Sequence, residues 1–243
     1  HGDVSFLPTY RVAKLAAQDV KMVLTGDGAD ELFAGYDKYK YFFADEFVSN
    51  CTNEQFVQAY AENISLFGEK RLKEVLSKSV LDKIENNNQY IDKVYGVLDE
   101  VPHMDRINKA LYLDTQLLLS GNNLVKPDRM GMAVSIENRA PFLDYRVIEH
   151  AFSMPGELKL NKGETKYIYK KAVSQLIGDN LAYRKKQMFT VPVGDWFKTT
   201  LRTTCEDLLL SEKARSRDLF DYNYVEALLE NHCNESENNT REI

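Results

Sequence analysis

The stretch from Lys21 to Tyr36 constrains the fold of this chain more than any other. It starts with the short apolar run Met22–Leu24, which is bounded by turn residues and is typical of a buried strand. The segment Thr25–Gly28 follows, and its two glycines allow a tight turn and a close approach of the backbone to a ligand. From Ala29 onward, apolar residues recur at helical spacing. The stretch therefore predicts a strand, a loop and a helix N-terminus of an open α/β sheet, where ligands bind beyond the carboxyl ends of the strands.

The predicted loop also carries carboxylates, at Asp27, Asp30 and Glu31. A helix N-terminus attracts anions, yet these side chains would repel a bare phosphate. A phosphate bridged by Mg²⁺ would be accepted, because the metal takes carboxylate and phosphate oxygens together. The alternative is an ordinary acidic helix start with Asp27 as its cap. An EF-hand is excluded, because the sixth position counted from Asp27 is Leu32, where that loop needs glycine.

Three long motifs of the chain stand out. Thr25–Tyr36 reads TGDGADELFAGY, Pro127–Asp144 reads PDRMGMAVSIENRAPFLD, and Arg184–Trp196 reads RKKQMFTVPVGDW. The first is similar to the signature Ser-Gly-Glu-Gly-Ser-Asp-Glu of the glutamine-hydrolysing asparagine synthetase family, and the other two resemble the second long motif and the basic loop of that family. The motifs occur in the order of the family, and the resemblance extends from about Asp3 to about His232.

The resemblance implies an α/β fold with part of a parallel sheet of the ATP-pyrophosphatase type (adenine nucleotide alpha hydrolase-like) and a mostly helical remainder. Residues 1–243 would form a single asparagine synthetase domain that is truncated at both ends. The Ser-Gly-Gly-x-Asp-Ser pyrophosphate loop of the superfamily does not occur in this sequence, and neither does a glutaminase domain. We therefore expect earlier strands and an N-terminal glutaminase domain upstream, and no turnover by these 243 residues alone.

The implied reaction is an ATP-dependent amidation that needs Mg²⁺. ATP activates the side-chain carboxylate of aspartate as an acyl-adenylate, and ammonia derived from glutamine displaces AMP to give asparagine. Attack on the α-phosphate requires Mg²⁺ and cations to offset the developing charge. Amide formation requires a base that takes a proton from the attacking amine.

The resemblance carries individual roles over to individual positions of this chain. Thr25 and Gly26 match positions that contact ATP, and Asp30 matches a carboxylate that holds Mg²⁺ with the pyrophosphate. Asp27 matches the acidic residue associated with the acyl-adenylate, although the synthetases carry the longer Glu there. Lys186 matches the cation that meets the acyl-adenylate or the pyrophosphate, a role suited to the compact charge of lysine.

Within the second motif, Arg129 and Glu137 are assigned only to the neighbourhood of the site. A structural ion pair of Arg139 with Glu137 or with Asp144 is the alternative there.

Two other functions stay open at this stage. The Asp at position 27 leaves room for an amidotransferase that acts on another carboxylate, such as that of a saccharide or a peptide. A non-catalytic helical relative would predict the loss of the charged motif residues, yet Asp27, Asp30, Arg129 and Lys186 all retain suitable chemistry.

Charge and cysteine content narrow the choice of partner and compartment. The net charge of −6 argues against a general binder of nucleic acid or of anionic membranes. No apolar run approaches the length of a membrane span. Three scattered cysteines without a Cys-x-x-Cys pair favour the reducing cytoplasm, and the sequence leaves a homodimer open.

The segments after Tyr36 are mostly predicted to be helical. A polar break is expected at Asn86–Gln89, an amphipathic helix over Asn108–Leu119, and a fresh helix start at Asp128 after Lys126-Pro127 that continues to Ile136. Residues 158–186 hold eight basic and two acidic side chains, which are typical either of a solvated helix face or of a ligand site.

Overall fold

The computed structural model describes residues 3–84, 89–186 and 191–243. These residues divide into two compact units, one of residues 3–60 and 92–186 and the other of residues 61–84, 89–91 and 191–243. The predicted polar break at Asn86–Gln89 lies largely outside the described residues, as do residues 187–190 of the third motif. None of the helices in the described ranges is both long enough and apolar enough to cross a lipid bilayer.

The described residues form a mostly helical α/β fold with a small parallel sheet. The strands are β1 (Met22–Leu24) and β2 (Glu137–Arg139). The helices up to the second motif are α1 (Phe6–Ala16), α2 (Ala29–Leu32), α3 (Asp37–Phe43), α4 (Glu46–Asn50), α5 (Asn53–Ile64), α6 (Glu69–Val75), α7 (Lys78–Ile84), α8 (Gln89–Asp99), α9 (Arg106–Asp114) and α10 (Val125–Met132). Those after it are α11 (Tyr145–Ser153), α12 (Gly156–Lys159), α13 (Tyr167–Ile177), α14 (Asp179–Ala182), α15 (Val193–Lys198), α16 (Arg202–Leu209), α17 (Glu212–Arg215) and α18 (Tyr222–Cys233).

The sheet joins the first and second motifs. Strand β1 pairs in parallel with β2, with Val23 opposite Asn138, and the N–H of Thr25 extends the pairing by donating to the carbonyl of Arg139 at 2.8 Å. The predicted strand is confirmed. The prediction that it is buried is wrong within the described residues, because Leu24 is 69% exposed. An apolar composition predicts that other elements pack against the strand, but it does not identify those elements.

The helix predicted from Ala29 is interrupted after one turn. Helix α2 ends at Leu32, and Ala34 adopts the left-handed conformation with φ 54° before α3 begins at Asp37. Tertiary contacts explain the break, because the carbonyl of Phe33 accepts a hydrogen bond from the N–H of Lys166 at 3.1 Å. The ring of Phe33 also packs 5.4 Å from that of Tyr169. The break thus coincides with contacts of Phe33 with the start of α13.

The second motif also differs from its predicted helical pattern. Helix α10 begins at Val125 rather than at Asp128, because Pro127 is tolerated in the first turn of a helix. Ile136 lies outside the helix, since Ser135 takes a φ of 61° and the chain then enters β2, which periodicity did not predict. The side-chain amide of Asn138 donates to the carbonyl of Pro127 at 2.6 Å, which fixes β2 against α10.

A π-helix follows α9. It spans Thr115–Asn123 and replaces the predicted end of the amphipathic helix at Ser120. Such segments occur frequently at functional sites. Here the π-helix carries the chain from the buried Asp114 to Asn123, whose side chain contacts the first motif.

Asp114 is completely buried and links α3, α5 and α9. Its Oδ2 accepts hydrogen bonds from the hydroxyls of Tyr39 at 2.5 Å and Tyr60 at 2.8 Å, and lies 2.6 Å from Nζ of Lys38. Burial and the Asp114 carboxylate raise the pKa of the Tyr39 phenol well above its ordinary value. The phenol therefore stays neutral and keeps donating to Asp114.

The basic segment does not form one solvated face. Lys159 is fully buried, donates to Oδ1 of Asn108 at 2.7 Å, and has a pKa that burial lowers to about 8. Lys166 lies 2.6 Å from Oδ1 of Asp30, while Lys170 pairs with Glu164 at 3.3 Å. The segment thus supplies structural contacts as well as cations at the first motif.

Candidate active site

The loop between β1 and α2 is a tight turn. Gly28 has a φ of 88°, a conformation that side chains rarely adopt, and a Cβ placed on it would lie 2.3 Å from Cδ2 of Leu143. The N–H of Ala29 donates to the carbonyl of Gly26 at 3.3 Å and closes the turn. The predicted glycine-bearing loop at the end of a strand is confirmed in this geometry.

Asp30, in the first turn of α2, lies between two lysines. Its Oδ1 is 2.6 Å from Nζ of Lys166, and its Oδ2 accepts a hydrogen bond from Nζ of Lys186 at 2.7 Å. Burial alone would raise the pKa of the Asp30 carboxyl, but the two ammonium groups outweigh it and hold the pKa below its ordinary value. The site therefore contains an ionised carboxylate between two cations.

The structure thus brings together two of the five residues assigned from the sequence, Asp30 and Lys186. It adds Lys166, whose neighbourhood the sequence left open between a solvated face and a ligand site. The one available signal was the position of Lys166 within the basic segment, and only the tertiary contact with Asp30 separates it from the other lysines there.

Thr25 and Asp27 line a cleft of about 500 Å³, and Gly26 lies between them in the chain. The polar side chains that share this cleft include Ser120, Asp128 and Asn138. The cleft is therefore bounded by both motifs and by the π-helix, and it is large enough for a small carboxylate substrate.

Gly35 provides the space for the carboxylate and its cations. A Cβ at this position would lie 1.9 Å from Oδ1 of Asp30 and 2.3 Å from Cε of Lys166. Real Cβ atoms do not approach other atoms so closely, so any side chain must displace one partner of the ion pair. A side chain at position 35 would therefore push the Asp30 carboxylate or the end of Lys166 out of their present arrangement.

Substituting Gly35 by Ala is expected to lower the free energy of unfolding by about 1–3 kcal/mol, because the added methyl group collides with the Asp30 carboxylate and the end of Lys166. Gly96→Ala is the matched control, since no atom lies within 4 Å of a Cβ at that helical position. The control should gain slightly in stability, and denaturant unfolding measures both variants. Equal stability of the two variants would contradict the steric conflict at position 35.

Glu31 supports the same turn from the other side. It is nearly fully buried, and its Oε1 accepts hydrogen bonds from the Tyr36 hydroxyl at 2.7 Å and from the Asn123 side-chain amide at 2.7 Å. The Tyr36 ring in turn lies beneath Nζ of Lys186, with 4.7 Å between that nitrogen and the ring centroid. The first motif, the π-helix and the basic loop therefore meet at Tyr36.

The charged residues of the second motif lie on the surface. Glu137 and Arg139 form an exposed ion pair at 2.9 Å, which was one of the two alternatives, and Arg129 is exposed on α10. The other alternative is wrong, because Asp144 pairs with Arg146 at 2.7 Å, and the hydrogen bonds from Arg146 lower the Asp144 pKa to about 2. The motif contributes to the loop through the carbonyl of Arg139, which accepts from Thr25.

The comparison with known proteins identifies the class of this chain. The sequence profile of the asparagine synthase family matches residues 2–243, and the chain therefore belongs to that family. Asparagine synthetase (glutamine-hydrolyzing) 1 of Bacillus subtilis is 30% identical over 99% of this chain and 41% of its own length. Asparagine synthetase (glutamine-hydrolyzing) 3 of the same organism is 29% identical over 75% of this chain and 30% of its own length.

A fungal relative carries a different name. An amidase of Penicillium rubens is 23% identical over 88% of this chain and 38% of its own length. The chain thus spans about two fifths or less of the length of the curated relatives that it matches.

Proposed function

We propose that this chain carries part of the active site of an ATP-dependent amide-forming enzyme, with aspartate as the acceptor and asparagine as the product. The observation that carries the proposal is the Asp30 carboxylate held between Lys166 and Lys186 beside a glycine-bearing loop. Such a cluster of fixed charges suits the transfer of an adenylyl group, because negative charge develops on the pyrophosphate that leaves. Membership of the asparagine synthase family supports the same reaction class.

In the proposed first step, an oxygen of the aspartate side-chain carboxylate attacks the α-phosphorus of ATP. The bond from the α-phosphorus to its bridging oxygen breaks, and pyrophosphate leaves with the electron pair. Lys186 and Lys166 would meet the negative charge that develops on the leaving pyrophosphate. Thr25 and the backbone at Gly26 would contact the nucleotide at the end of β1.

In the proposed second step, ammonia attacks the carbonyl carbon of the aspartyl-adenylate. The bond from that carbon to the phosphate oxygen breaks, and AMP leaves with an oxygen that came from aspartate. The Asp27 carboxylate, which lines the cleft, would take the proton that the attacking nitrogen loses. The ammonia would come from glutamine through a separate glutaminase domain.

Asp30 fits one ligand position of a magnesium ion. The described ranges contain no group of three or more histidine, cysteine or acidic side chains placed to hold a metal, and Mg²⁺ is usually bound by one or two carboxylates together with substrate phosphates and water. When bound, Mg²⁺ would supply positive charge to the phosphate oxygens. Asp30 would then contact the metal instead of Lys166 and Lys186, and both ammonium groups would be free to bind the pyrophosphate.

The nature of the acceptor is tested by a comparison of substrates. We expect AMP release by the natural protein to depend on ATP and to be faster with aspartate than with glutamate, small peptides or uronic acids by at least about a hundredfold. Faster AMP release with a peptide or a saccharide would favour the second candidate, an amidotransferase for another carboxylate. The Asp at position 27, where the synthetases carry Glu, is the feature that supports that candidate. No AMP release with any carboxylate would favour a non-catalytic relative.

A further inference from the structure

The ammonium group of Lys186 has three neighbours among the described residues. It donates to Oδ2 of Asp30 at 2.7 Å and to the carbonyl of Gly35 at 3.4 Å, and it lies 4.7 Å from the centroid of the Tyr36 ring. The Lys186 side chain is still 46% exposed, so contacts rather than burial hold its end in place.

Of these contacts, the one with the Tyr36 ring is the most compatible with catalysis. A carboxylate competes with a phosphate for the same ammonium, and Asp30 would have to exchange its partners once a metal or a phosphate arrives. An aromatic face attracts a cation through its quadrupole and brings no anion of its own. The ring can therefore hold Lys186 while the ammonium group meets a phosphate.

We propose that Tyr36 is a positioning residue, which holds the Lys186 ammonium over its ring while the charge on the leaving group develops. The inference rests on the proposed function, because it assigns Tyr36 a part in the same reaction. It predicts that the rate follows the electron density of the ring at position 36.

The ring of Tyr36 is held in place by a hydrogen bond from its own hydroxyl. Its hydroxyl donates to Oε1 of the buried Glu31 at 2.7 Å, and the Asn123 side-chain amide binds the same oxygen. Burial and the Glu31 carboxylate raise the pKa of the Tyr36 phenol well above its ordinary value. The phenol therefore remains a donor, and the ring keeps one orientation toward Lys186.

A second lysine lies near the ring without the same freedom. Nζ of Lys38 is 5.7 Å from the Tyr36 centroid, but it is also 2.6 Å from the buried Oδ2 of Asp114. Its charge is thus compensated by Asp114, and Lys38 is not available to a ligand in the way that Lys186 is. The ring therefore has one cation that is tied to the core and one that faces the site.

The test replaces Tyr36 by a series of aromatic side chains that keep the shape of the ring and lower the π-electron density on its face. Phenylalanine at position 36 and its derivatives with one, two and three ring fluorines are compared in the natural protein, with aspartate-dependent AMP release as the readout. Tyr36→Phe removes the hydrogen bond to Glu31, so this variant is the reference for the fluorinated rings. We expect kcat to fall stepwise with fluorination to about tenfold below that of Tyr36→Phe. Tyr36→Leu should fall equally far, and KM should change little throughout.

The matched control is the same series at Tyr41. This residue is exposed on α3, with Nζ of Lys40 at 5.9 Å from its centroid. That series should be flat. A flat fluorinated series at Tyr36 in an active protein, or a Tyr36→Leu variant as fast as Tyr36→Phe, would overturn the positioning role.

A readout independent of turnover separates this inference from the proposed function. The ring current of Tyr36 should shift the ε-methylene protons of Lys186 upfield in the NMR spectrum. The shift should persist in Tyr36→Phe and vanish in Tyr36→Leu, and equal spectra for these two variants would contradict the contact itself. No aspartate-dependent AMP release from the unsubstituted protein would overturn the proposed function, and the catalytic part of this inference with it, even if the upfield shift is present.

Discussion

Substituting Asp30 by Asn is expected to slow ATP- and aspartate-dependent AMP release by the natural protein about a thousandfold. The amide keeps the size of the side chain but removes the charge that holds Nζ of Lys166 at 2.6 Å and Nζ of Lys186 at 2.7 Å. It also removes the carboxylate that fits a magnesium ligand. The loss should appear mainly in kcat, because these charges act on the leaving group rather than on the bound substrates.

Asp37→Asn is the matched control for this substitution. Asp37 lies seven positions further along the chain, in the first turn of α3, and its side chain is exposed. The control should retain activity within about twofold and change stability by less than about 0.5 kcal/mol. Unchanged turnover in Asp30→Asn would contradict the catalytic role of Asp30 and would favour a non-catalytic relative.

Substituting Asp114 by Ala is expected to lower the free energy of unfolding by about 3–5 kcal/mol. The substitution leaves the hydroxyls of Tyr39 and Tyr60 without their buried acceptor and deprives Lys38 of its partner. It also opens a cavity at a position that is completely buried. The measurement is denaturant unfolding of the 243-residue chain, followed by circular dichroism.

Two further variants separate charge from hydrogen bonding at this position. Asp114→Asn keeps an oxygen that can accept from both phenols and should lose about half as much stability, with the remaining loss due to Lys38. Asp99→Ala removes an exposed acidic side chain at the end of α8 and should change stability by less than about 0.5 kcal/mol. If Asp114→Ala were as stable as Asp99→Ala, the network around Asp114 would not contribute to the fold.

The local parts of the site could be predicted from the sequence, because they depend on residues close together in the chain. The apolar run at Met22–Leu24 and the glycines of the loop predicted a strand and a turn, and both occur. The two-stranded pairing with Glu137–Arg139 could not be predicted, because three residues of polar composition carry no strand periodicity. The break in the helix at Ala34 depends on Lys166, which is far away in the sequence.

The long-range charges show the same limit. Asp30 and Lys186 were assigned through the motifs, and the structure places them in contact. Lys166 and Lys159 belong to the same basic segment and look alike in the sequence, yet one reaches Asp30 and the other is fully buried beside Asn108. Charge patterning gives the sign of a segment but not the partner of each side chain, since the partner is set by tertiary packing.

The most direct test of the account follows an oxygen atom from aspartate. The natural protein that contains this chain is incubated with ATP, an ammonia source and aspartate labelled with ¹⁸O in its side-chain carboxylate, and the AMP is analysed by mass spectrometry. If that carboxylate attacks the α-phosphorus, each AMP molecule carries one ¹⁸O atom and the pyrophosphate carries none. Unlabelled AMP, or release of ADP and phosphate instead, would contradict the acyl-adenylate and with it the role proposed for the Asp30, Lys166 and Lys186 cluster.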